Sequence, residues 1–136
     1  MSFREKSAWI SAVLISLFLL SYFVPTLGGH VSGAQRLHHF LLVVLTFATL
    51  EIVLHAVIAI RSPRDARAPK DERERLIALK AARISYYVLM VGALSSIFTI
   101  HLGAGAARIV GHMFLSVVVA ELVRFVSIIV FHRRGV

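Results

Sequence analysis

The sequence predicts an all-α integral membrane protein of four transmembrane helices, on three observations. Four apolar runs approach or exceed the roughly 20 residues needed to cross about 30 Å of hydrocarbon. The 136 residues are 58% hydrophobic and only 16% charged, with a mean hydropathy of +0.83. A soluble domain of this size could not cover so much apolar surface. Finally, the charges are segregated: nearly every cation flanks an apolar run.

The predicted spans cover residues 8–24, 37–60, 84–102 and 109–131 of a single transmembrane domain, with a connecting loop at 61–83. The first has features of a signal peptide, with Arg4 and Lys6 as a basic start and Ser32-Gly33-Ala34 as a cleavage site. Its apolar stretch is long for that role, so a retained span is expected. Residues 25–36 are rich in Gly and Ser and residues 103–107 form a Gly-Ala turn, so spans one and two, and spans three and four, are expected to pair as hairpins. In the connecting loop, Ser62-Pro63 and Ala68-Pro69 interrupt helix, and Pro69 stands where a new helix can begin. From Asp71 onward acids precede bases, which suits the helix dipole, and Asp71 with Arg75 and Lys70 with Glu74 fall at i,i+4. Span three should therefore project inward as a charged helix of two to three turns.

Charge sets the orientation. Arg4, Lys6, Arg61, Arg64, Arg67, Lys70, Arg73, Arg75, Lys80, Arg83, Arg133 and Arg134 account for twelve of the fifteen cations and share one side. Arg36 and Arg108 occupy the opposite loops, and Arg124 lies inside span four. The positive-inside rule places both termini and the central loop in the cytoplasm, N-in and C-in. The net charge of +8 is thereby explained as an orienting signal. No basic face carries interleaved aromatics, so nucleic acid is not an expected partner. With no cysteine, disulfides, thiolate metal sites and a cysteine nucleophile are all excluded.

The two hairpins look like copies. At an offset of 74, Lys6-Ser7-Ala8-Trp9-Ile10-Ser11 falls on Lys80-Ala81-Ala82-Arg83-Ile84-Ser85, matching four of six positions. At an offset of 70, Glu51-Ile52-Val53 falls on Glu121-Leu122-Val123. Aliphatic matches arise by chance in apolar helices, so the matched Lys and Glu carry the weight. Each hairpin enters and leaves on the same side, making this a parallel pseudo-repeat.

Glu51 lies ten residues from Arg61 and Glu121 eleven from His132, so both carboxyls are expected roughly 15 Å from the inner boundary, near the bilayer centre. A carboxylate at that depth is costly unless protonated, paired or facing a polar interior. His55 shares a face with Glu51 one turn inward, and Arg124 stands three residues from Glu121. One reading makes Glu51, Glu121, His55 and Arg124 a site for handling protons or a small cation; the other makes them mutual polar glue between helices. His30 falls in the outer loop and His132 ends span four. His38, His39, His101 and His112 are the candidates for holding a haem, although no matched histidines recur at one depth in both hairpins. Glu51-x-x-x-His55 has the wrong spacing for a di-iron Glu-x-x-His pattern. No catalytic residues or dedicated metal ligands are expected: phosphate-loop, zincin and nucleophile-elbow motifs are lacking, and Ser95, Ser96, Ser116 and Ser127 have no recognisable companions. Gly92, Gly103, Gly105 and Gly111 offer places for close helix approach.

The opening Glu5-Lys6-Ser7-Ala8-Trp9 and the run from Asp71 to Ala81, with its charged D-E-R-x-x-x-I-x-x-K-A-like pattern before the third span, resemble a group of small bacterial four-helix inner-membrane proteins. The resemblance implies a bacterial inner membrane and no established activity, and transfers no site residues. Three functions stay open: proton or cation handling by a homo-oligomer in the bilayer; an accessory or regulatory role, with Arg73, Arg75, Lys80 and Arg83 contacting anionic lipid or an unidentified membrane or cytoplasmic protein; or a b-type haem protein.

Overall fold

A computed structural model describes residues 3–29, 33–63, 69 and 71–134, and within them the chain is helical, with no strand. Helix α1 runs Phe3–Leu27, α2 Gly33–Arg61, α3 Glu72–His101 and α4 Ala106–Arg134. All four are long and apolar enough to cross a membrane. His30, Ser32, Arg64, Arg67 and Lys70 lie outside the described residues, and with them the signal-cleavage reading and the Lys70–Glu74 pair. The chain divides into two compact units, Met1–Pro69 and Lys70–Val136. Each is an antiparallel helical hairpin, α1 on α2 and α3 on α4.

The helices outrun the expected spans. Pro25, expected to open the outer loop, lies inside α1. Around it, Thr26 Oγ1 donates to the Tyr22 carbonyl at 2.6 Å and Ser21 Oγ to that of Phe18 at 3.1 Å, local bonds within the same turns of helix. Gly28 N–H closes the last turn on Val24, and Gly29 then takes φ +73°, which favours glycine. Pro69 precedes the α3 cap instead of starting the helix. Asp71 is the N-cap, accepting from Glu72 N–H at 2.7 Å while Glu74 reaches back to the Asp71 N–H, a capping box. At the other end Gly103 (φ +72°) and Ala104 donate to the carbonyls of Ile100 and Thr99, a Schellman turn.

The hairpins are packed differently. In the first, α1 offers Ser7, Ser11, Leu14, Phe18 and Tyr22 at steps of three and four residues, one seam along the helix. The half nearer the turn is aromatic: Phe18 meets Phe47 edge-on at 5.7 Å, and Tyr22 stacks on His39 at 5.8 Å. In the second hairpin the seam is small: Ala81, Ser85 and Ser96 on α3, Ser116 and Ala120 on α4 are all buried. Small residues let backbones approach, and α3 and α4 accordingly pack more extensively than α1 and α2. Gly92 is the point of closest approach, where an added Cβ would lie 2.5 Å from the Ser116 side chain. Of the four glycines expected there, Gly103 shapes the turn, and Gly105 and Gly111 face open space.

The charged start of α3 does not stand free. Ser85 Oγ donates to the Ala120 carbonyl at 2.8 Å. Antiparallel pairing from that point lays residues 72–83 alongside the last turns of α4. Ile77, only 2% exposed, and Ala81 are buried on this side of α3, as Ile129 is on α4.

Candidate functional site

Glu51 lies on the α1-facing side of α2. Ser11 Oγ donates to Glu51 Oε1 at 2.5 Å, the short length expected when a hydroxyl meets a carboxylate. Ser11 itself is 1% exposed, fixed in the seam between Ala8, Ala12 and Leu14. One turn further along α2, His55 Nδ1 lies 2.8 Å from the Glu51 carbonyl oxygen and 3.6 Å from Oε1. A carbonyl can only accept, so Nδ1 carries a proton and, in the neutral ring, Nε2 is the acceptor. Ser7 Oγ, 2.7 Å away, then donates to Nε2. Ser7, His55, Glu51 and Ser11 thus form a continuous polar chain, Ser7 meeting His55 as Ser11 meets Glu51, with the carboxyl and imidazole each about a third exposed. Turnward of this chain the seam closes with Leu14, Phe18 and Phe47.

Glu121 has a different environment. Arg124 Nη2 lies 3.0 Å from its Oε2 on the same helix, with both side chains roughly two-fifths exposed. The guanidinium also sits 4.8 Å from the Phe125 ring. The matched serine, Ser85, bonds the Ala120 backbone beside Glu121, not the carboxyl. The expected Glu121–Arg124 pair is therefore present, and the Glu51–His55 pair is joined by two serines that spacing along α2 could not reveal. The available signal was the seam on α1, since Ser11 is both on it and one of the positions matched between hairpins.

Among the haem candidates, His38 is exposed near the start of α2. His39 stacks on Tyr22, and its Nε2 is enclosed with no partner among the described residues. His101 lies beside Phe98, its Nδ1 3.4 Å from the Ile97 carbonyl. His112 Nδ1 is 2.9 Å from Ser96 Oγ, which itself donates to the Gly92 carbonyl, so His112 is the donor in that pair. Ser96 does gain a histidine neighbour, but its hydroxyl is 1% exposed and already committed, so a substrate could not reach it. Arg73, Arg75, Lys80 and Arg83 are exposed on α3. No cluster of three or more His, Asp or Glu side chains suited to a metal ion occurs among the described residues.

Comparison with protein-family models, with curated proteins and with solved structures gives no match.

Proposed function

We propose that this chain is an integral membrane protein, with both termini cytoplasmic, that moves protons across the bilayer as a homo-oligomer, taking them up at Glu51 through His55 from the inner face. The observation that carries the reading is the contrast between the two glutamates. Glu121 is held by a guanidinium, which stays charged at any working pH. Glu51 is held by a hydroxyl and stands beside an imidazole, both of which can exchange roles with a proton. A proton reaching His55 Nε2 reverses the Ser7 hydrogen bond, since Ser7 can accept as readily as donate. The resulting imidazolium can pass its Nδ1 proton to the Glu51 carboxylate once the ring turns from the Glu51 carbonyl and closes the 3.6 Å to Oε1 to hydrogen-bond distance, leaving both groups neutral. Ser11 holds the receiving oxygen.

Depth supports an inner entrance. Counted along α2, Glu51 lies roughly 15 Å from the boundary at Arg61. Its partner Ser11 is only five residues beyond Lys6, about 7.5 Å. Taking both helices together, Glu51 belongs to the inner half of the bilayer instead of its centre. Lys80 precedes Ser85 by the same five residues, and Ser85 meets the backbone next to Glu121 as Ser11 meets Glu51. This shared register favours a duplicated hairpin in which one copy keeps a proton-exchanging carboxyl and the other a fixed ion pair.

The test is proton flux into liposomes loaded with a pH dye, under an imposed potential. Wild type and Glu121→Gln should both conduct, and Glu51→Gln should lose at least about tenfold, the range in which positioned proton donors and acceptors act. Equal flux in wild type and Glu51→Gln would overturn the reading.

A further inference from the structure

A groove of about 610 Å³ opens on the second hairpin, lined by Arg75, Ala78, Leu79, Ala82, Arg124 and Ile128. Arg75, Ala78, Leu79 and Ala82 follow the i, i+3, i+4, i+7 pattern of one helix face, and Arg124 and Ile128 are one turn apart on α4. The lining combines two guanidiniums with aliphatic side chains, and the alanines leave the room. Glu121 pairs with Arg124 at 3.0 Å, while Asp71 and Glu72 stand one turn before Arg75 along α3. Arg124 is also incompletely satisfied: its Nε is enclosed without a hydrogen-bond partner among the described residues. The Arg75 guanidinium likewise has no hydrogen bond or ion pair with any described residue.

We propose that this groove binds one anionic phospholipid, its phosphodiester held by Arg75 and Arg124 and an acyl chain lying over Ala78, Ala82 and Ile128. The two guanidiniums suit a phosphodiester, and the apolar floor distinguishes a lipid from free phosphate. Of the exposed cations on α3, only Arg75 lines the groove; Arg73 and Lys80 fall roughly 140–160° around the helix from it. The site is thus narrower than a general attraction of the charged segment to the membrane surface. It rests on the membrane placement proposed above and is independent of proton exchange at Glu51.

Native mass spectrometry of the full chain in detergent, offered phosphatidylglycerol and phosphatidylcholine in equal amounts, tests it. Phosphatidylglycerol should be retained preferentially, and millimolar inorganic phosphate should not displace it. Arg75→Gln and Arg124→Gln should each reduce retention about fivefold, the effect of one basic residue on an anionic lipid. Ala82→Leu, which fills the groove without altering charge, should also reduce it, while Arg73→Gln should leave it unchanged. Equal retention of the two lipids, displacement by phosphate, or equal losses in Arg73→Gln and Arg75→Gln would overturn the proposal.

Discussion

Two glutamates at matched positions meet different partners, and the chemistry follows from those partners. The Glu121–Arg124 pair lies within one helix turn, so spacing alone exposes it. The Glu51 environment spans forty residues, from Ser11 to Glu51, and depends on the register between two helices. An apolar helix with serines at several positions gives little advance notice of which hydroxyl will face a carboxyl. Ser7 and Ser11 are legible only as members of a seam with Leu14 and Phe18. If His55 relays the proton, His55→Ala should slow proton uptake about 10²-fold. Stopped-flow pH jumps on liposomes with an internal dye measure the rate. An unchanged rate would remove His55 from the path.

Helix ends and contacts show a similar divide. The four apolar runs identified four helices because length and hydropathy are local properties. Their ends moved: α1 runs through Pro25 to Leu27, and the Asp71–Glu74 box starts α3. Close packing was not local. Gly92, Gly105 and Gly111 look alike in sequence, but only Gly92 meets a facing side chain. Gly92→Ala would force α3 and α4 apart at Ser116 and should cost about 1–3 kcal/mol. Gly111→Ala, with open space around it, should be neutral or mildly stabilising. Thermal unfolding of both variants in detergent measures the difference, and equal stabilities would contradict the close-packed seam.

At the scale of the molecule, the two hairpins carry their polar chains at opposite ends relative to their turns. In the first, Ser7, His55, Glu51 and Ser11 lie away from the turn, and aromatic rings fill the turn end. In the second, Ile77, Ala81 and Ile129 fill the end away from the turn, and Ser96, His112 and Ser116 lie toward it. The duplicated pattern is visible in sequence through Lys6, Lys80, Glu51 and Glu121, but this divergence is not, because it depends on cross-helix partners. Orientation can be checked directly because the chain has no cysteine. In intact cells a membrane-impermeant maleimide should label Gly105→Cys at the outer turn and spare Arg73→Cys until the membrane is permeabilised; the reverse pattern would invert the topology. The central claim, that Glu51 exchanges a proton and Glu121 does not, is most directly tested by pH-induced infrared difference spectroscopy of the reconstituted protein. A protonated-carboxyl band should appear on acidification, vanish in Glu51→Gln and persist in Glu121→Gln. A band that survives Glu51→Gln and is lost in Glu121→Gln would contradict it.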